Sequence, residues 1–100
     1  MNSIITANID RVKSLCEQYK VSSLYAFGSV CSDRFNEASD IDLLISFKDI
    51  DPAEYTDNYF DLAEKLEDLF HKPVDLVTDK SLSNPYFIKS VNKSKVHIYG

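Results

Sequence analysis

An α+β fold, a mixed sheet of about four strands with helices packed on it, is what the sequence predicts, and three observations predict it. Apolar residues recur at helical spacing in separate segments, apolar runs of strand length lie between them, and the two patterns follow one another as helix, strand, strand, helix, strand, helix, strand. With 100 residues, one domain over residues 1–100 is expected, with a modest core. A hydrophobic share of 44% and a charged share of 27%, with only two glycines and three prolines, exclude a disordered or fibrous chain.

Each element has its own signal. Ile5, Ile9, Val12, Cys16 and Tyr19 fall at steps of four, three, four and three with Arg11, Lys13 and Glu17 between them, which predicts an amphipathic helix over the first 20 residues. Ser23-Leu24-Tyr25-Ala26-Phe27 reads as a buried strand stopped by a turn at Gly28. Residues 30–39 are mixed and polar, a loop or one helical turn. Asp40-Ile41-Asp42-Leu43-Leu44-Ile45-Ser46-Phe47 follows as the strongest strand, expected to be central.

Asp51-Pro52-Ala53-Glu54 carries a helix start: a carboxylate cap, proline at the first helical position and Glu three residues after the cap. Tyr55, Tyr59, Leu62, Ala63, Leu66, Leu69 and Phe70 then mark one apolar face, on which the tyrosines are read as core by default, with base stacking as the rarer alternative. Glu64, Glu67 and Asp68 read as its solvated side. His71-Lys72-Pro73 ends the helix with cations that suit its dipole and a proline that cannot continue it. Val74-Asp75-Leu76-Val77-Thr78 is a third strand, Asn84-Pro85 opens a last helix through Asn92, and Val96-His97-Ile98-Tyr99 is a fourth strand.

Charge and composition bear on partners and compartment. The net charge is −5; residues 1–80 carry 8 basic and 16 acidic side chains, and residues 81–100 carry three lysines and no acid. An acidic body does not gather the phosphates of a long nucleic acid, so a small phosphorylated ligand or a protein acceptor is favoured. Lys89, Lys93 and Lys95 are candidates for neutralising a triphosphate or docking an acidic partner, with a solvated surface as the plain alternative. The sequence has neither an apolar run of membrane-spanning length nor the pattern of a secretory signal. A cytoplasmic location is expected, with no membrane association and with Cys16 and Cys31 as free thiols.

The chemistry gathers at five residues. Asp40 and Asp42 are one residue apart on a strand, so their carboxylates project from one face, where like charges repel by about 2–3 kcal/mol at an effective dielectric near 20. A cation is expected between them, and magnesium, bound through one or two carboxylates with water and phosphate completing its shell, is the natural choice, with calcium or manganese fitting less specifically. Asp75, inside an otherwise apolar strand, supplies a third acid if that strand lies beside the first. Three such acids suit two-metal transfer of a phosphoryl or nucleotidyl group. Gly28-Ser29, at a strand end twelve residues before Asp40, offers a side-chain-free turn and a hydroxyl donor to a phosphate. His71 and His97 have no partner at metal-ligand spacing and read as helix-end and strand-surface residues. Cys31 has no histidine placed to activate it.

Together, Gly28-Ser29, Ser39-Asp40-Ile41-Asp42-Leu43-Leu44-Ile45 and Pro73-Val74-Asp75-Leu76-Val77 resemble the minimal nucleotidyltransferases of the DNA polymerase beta superfamily. The resemblance spans most of the chain. It implies the nucleotidyltransferase fold, Mg2+ at Asp40 and Asp42, Asp75 as third ligand and activator of an acceptor hydroxyl, and a nucleoside triphosphate, ATP by preference, held at Gly28 and Ser29. Many free-standing members of that family are antitoxins that silence a HEPN toxin by transferring AMP to a tyrosine hydroxyl, which implies a HEPN-type protein partner. The pattern departs at Ser32-Asp33, where the family often has Arg-Gly, and Arg34 is the candidate replacement cation. Two other readings compete: a non-catalytic inhibitory module of the same fold, and transfer to a small molecule, for which 100 residues leave little room.

Overall fold

The computed structural model describes residues 3–31, 36 and 38–100. The amphipathic segment at the start forms two helices, α1 (Ser3–Ala7) and α2 (Ile9–Gln18), where the spacing predicts one. Asn8 is the reason: its side-chain amide donates to Ile4 O at 2.8 Å, a local bond that competes with the helical ladder. The apolar stripe survives the break, and Ile5, Val12, Cys16 and Tyr19 are all buried.

Lys20 takes a left-handed conformation (φ 61°) and turns the chain into β1 (Val21–Phe27), two residues longer at its start than the apolar run indicates. A 3-10 turn, Gly28–Cys31, follows. β2 (Ile41–Phe47) begins just after Asp40. Asp51 Oδ1 then accepts from Glu54 N at 2.9 Å, capping α3 (Pro52–Phe70) as its sequence signature requires. That helix ends at His71, whose φ of 55° is left-handed and whose N–H donates to Glu67 O. His71 therefore closes α3 through its backbone, and the Lys72 ammonium reaches instead to Asn36 O (3.1 Å) and Ser39 O (3.4 Å), in the segment before β2. β3 (Val74–Thr78) and a 3-10 turn, Asp79–Ser81, come next. Asn84 Oδ1 caps α4 (Pro85–Ser94), and β4 (Val96–Tyr99) ends the sheet.

The sheet is mixed, as expected, in the order β3-β2-β1-β4. β1 pairs antiparallel with both β2 and β4, and β2 pairs parallel with β3 through the α3 crossover. Side chains alternate between the faces. Leu24, Ala26, Ile41, Leu43, Ile45 and Leu76 join Ile5, Val12, Cys16, Leu62, Leu66 and Phe70 in the main core under α2 and α3. On the other face Phe27 and Leu44 pack with Val91 of α4, alongside Tyr25, Val77 and Leu82. Among the described residues no helix is long and apolar enough to cross a membrane.

Candidate active site

Register brings the acids together. In the parallel β2–β3 ladder Asp42 stands opposite Asp75, and in the antiparallel β1–β2 ladder it stands opposite Phe27. Residues directly opposite share a face, and Asp42 and Asp75 each lie two positions before a member of the smaller cluster, Leu44 and Val77. Both carboxylates therefore lie on the α4 side of the sheet, away from the main core.

Asp42 is partly buried, whereas Asp40 and Asp75 are exposed. Burial, and after it the charges of Asp75 and then Asp40, push the Asp42 carboxyl above its ordinary range. All three acids thus share one electrostatic neighbourhood. Two expectations change in detail. Asp40 precedes the strand and does not open it, and Asp75 is no charge trapped in an apolar interior. β3 is an edge strand, and Asp75 looks out from it.

Gly28 has φ +72°, and a Cβ placed there would stand 2.5 Å from Asp42 Oδ2. The residue is glycine for two reasons: left-handed backbone is costly to other residues, and the missing side chain makes room for a carboxylate. Ser29 follows in the 3-10 turn, partly exposed. The turn contacts both β2 and α4, so the glycine-serine pair and the acids border the same corner. Ser32-Asp33, where the sequence departs from the family pattern, and Arg34, the candidate replacement cation, lie outside the described residues.

The donor set suits a hard divalent cation. Among the described residues no group of three or more His, Cys, Asp or Glu forms a ready-made metal cage. Magnesium does not need one, since it is commonly held by one or two carboxylates and completed by water and phosphate oxygens. A cation beside Asp42 would offset both the burial and, after it, the repulsion from Asp75 and Asp40 that raise this carboxyl.

Three contacts around the acids escape a reading by pattern. The Tyr59 hydroxyl, on the face read as core, donates to Leu76 O at 2.5 Å. Burial first, then the nearby Asp75 charge and Tyr55, raises this phenol and keeps it a donor. Glu67, read as a solvated helix residue, accepts from Val74 N at 3.0 Å. Lys72 holds the segment leading to Asp40. A helix-face pattern records burial and not what a polar tip reaches; the acid eight residues after Tyr59, on the side of α3 leading to Pro73, was the available signal.

The remaining candidates take bland roles. Both cysteines are free; burial pushes Cys16 up to about 12 and raises Cys31 as well, so neither is an activated thiolate. His97 packs edge-on against Tyr25 with its Nε2 bonded to Gly100 O. Lys95 lies over the Tyr25 ring at 4.6 Å, while Lys89 and Lys93 are exposed on α4.

The class of protein is set by a family match that the four-stranded mixed sheet agrees with, that of the nucleotidyltransferases. The family model described as "Polymerase beta, Nucleotidyltransferase" matches residues 10–100, and the chain belongs to that family. A Methanocaldococcus jannaschii protein, provisionally named a protein adenylyltransferase, is 36% identical over 86 residues, covering 86% of this chain and 85% of its own length. A solved structure provisionally described as a minimal nucleotidyltransferase superposes with a TM-score of 0.77 at 28% identity, covering 96% of this chain and 95% of that one. A second, a toxin-antitoxin with AMP-PNP, gives a TM-score of 0.73 at 26% identity over 93% of this chain and 73% of the other. The chain is accordingly a nucleotidyltransferase, similar to proteins named as protein adenylyltransferases.

Proposed function

We propose that this chain, as one catalytic domain, uses Mg2+ and ATP to transfer AMP to a hydroxyl group on a partner protein, and that it serves as the antitoxin of a HEPN-type toxin. The register of Asp42 against Asp75, beside a glycine whose absent side chain admits the Asp42 carboxylate, is the observation that carries this reading. The likeness to a toxin-antitoxin with AMP-PNP supports the nucleotide and the role, and the family resemblance implies the kind of partner. Free thiols at Cys16 and Cys31 suit a reducing cytoplasm, where ATP is abundant.

Magnesium, held by Asp40 and Asp42 with Asp75 as third ligand, would supply neutralisation of the triphosphate and of the charge developing on pyrophosphate. The protein's share is positioning. Gly28 and Ser29 hold the triphosphate by backbone N–H and hydroxyl donors, and Asp75 accepts the proton of the acceptor hydroxyl as its oxygen attacks the α-phosphorus in line. The new P–O bond joins AMP to the acceptor, and the bond to the bridging oxygen breaks to release pyrophosphate. Holding the reactants in this geometry accounts for much of the acceleration.

Asp42→Asn tests the mechanism, since it removes a charge without removing packing. With radiolabelled ATP and the partner protein, label transfer is lost by at least about 100-fold while circular dichroism stays native. Retained transfer removes the mechanism. Partner binding by a wild type that neither binds Mg·ATP nor labels the partner makes the chain an inhibitory module instead.

A further inference from the structure

β3 lies at the edge of the sheet, and an edge strand offers unpaired backbone groups on its outer side. Ile41 N donates to Pro73 O at 3.0 Å, so residues 73, 75 and 77 direct their backbone groups toward β2, and residues 74, 76 and 78 direct theirs outward. Two of these outward groups flank Asp75, and side chains of α3 hold both. Glu67 Oε2 accepts from Val74 N at 3.0 Å, and the Tyr59 hydroxyl donates to Leu76 O at 2.5 Å. A third, Thr78 O, accepts from Ser81 Oγ at 2.8 Å.

Packing holds β3 but not Asp75 itself: Leu76 is buried and Val74 and Val77 are half-buried against the two clusters, whereas Asp75 is exposed. Side-chain bonds on either side of it restrict the strand both in height and in rotation about its axis. They also occupy groups through which an extended peptide could add to the sheet.

We infer that Tyr59 and Glu67 are positioning residues: they clamp the strand on either side of Asp75 and hold its carboxylate in register with Asp42. The inference rests on the proposed role of these two acids. Glu67 acts as an acceptor rather than as a charge, so glutamine can replace it. Tyr59 acts through its hydroxyl, so phenylalanine cannot, although it preserves the ring packing.

The test titrates Mn2+ alone into the protein by electron paramagnetic resonance, with amide hydrogen exchange at Val74 measured in parallel. Wild type is compared with Tyr59→Phe/Glu67→Ala, Tyr59→Phe, Glu67→Gln and Asp75→Asn, each first shown to be folded by circular dichroism. The double variant exchanges the Val74 amide faster and loses Mn2+ affinity by roughly 10-fold or more, toward the level of Asp75→Asn. Tyr59→Phe falls between the double variant and wild type, and Glu67→Gln keeps wild-type affinity, which a loss of ligand charge would not permit. Faster exchange at Val74 with unchanged Mn2+ affinity overturns the clamp and leaves the bonds a purely structural role. Unchanged affinity in Asp75→Asn overturns the three-acid site itself, and the clamp falls with it.

Discussion

Gly28 and Asp42 are coupled at the scale of single atoms. An added methyl at Gly28 meets Asp42 Oδ2 at 2.5 Å on a backbone already at φ +72°, so Gly28→Ala both strains the turn and displaces the carboxylate. The expected result is a loss of about 1–2 kcal/mol in denaturant unfolding together with lost nucleotide transfer. Full activity in Gly28→Ala would separate the turn from the acid. Asp42 carries a second prediction. Its carboxyl is raised in the fold above the ordinary 3.8, by burial first and then by Asp75 and Asp40. The folded chain therefore binds this proton more tightly than the unfolded chain. Protonation favours the fold below the unfolded value, and that contribution is lost as pH rises through the folded one. Ionised Asp42 is a net cost at neutral pH. Without added metal, Asp42→Asn raises the Tm by about a few degrees at pH 7, and the gain shrinks as pH falls through the raised folded value and is gone below the ordinary 3.8. A gain that persists at low pH, or a fall in Tm at pH 7, counts against the shared charge.

Among the elements, those with a capping signature or a strict apolar period were legible in the sequence. Asp51-Pro52 and Asn84-Pro85 start helices through the hydrogen bonds those residue types make, because a cap is a local interaction. β3 and β4 fall on their apolar runs for a similar reason. Boundaries set by distant contacts were not legible. β1 starts at Val21 because Lys20 O accepts from Lys48 N, bringing the start of β1 to the end of β2. The break between α1 and α2 turns on one asparagine amide, which period counting does not register. Strand order and the edge position of β3 depend on pairing across the whole chain, and from them follow both the exposure of Asp75 and the clamp by Tyr59 and Glu67.

At the scale of the whole molecule, the site sits on the face that the large core leaves free. Ile41, Leu43 and Ile45 commit one side of β2 to α2 and α3, so the alternate residue Asp42 must face α4. That consequence of a period of two made the acid pair readable in advance. The meeting of Asp42 with Asp75 was readable as a condition, namely that the two strands be neighbours, and the ladder fulfils it. The charges stay divided by element: Asp42 and Asp75 lie near the starts of β2 and β3, while exposed Lys89 and Lys93 belong to α4, which packs on the same face through Val91. A groove of about 520 Å³ between α2 and α3, lined by Leu15 and Leu69 among others, lies on the opposite side of the sheet. It is lined by two acids, Asp10 and Asp68, and two bases, Arg11 and Lys65, charges that offset one another and leave no net attraction for a triphosphate.

These two surfaces give the central claim a direct test. Crystals grown with Mn2+ and a non-hydrolysable ATP analogue, measured at the manganese absorption edge, locate the cation by its anomalous signal. The expected peak is bonded to the Asp42 carboxylate, with Asp40 and a phosphate oxygen beside it and Asp75 facing it across the ladder. A nucleotide and cation seated in the groove between α2 and α3, with the three acids left bare, would contradict it.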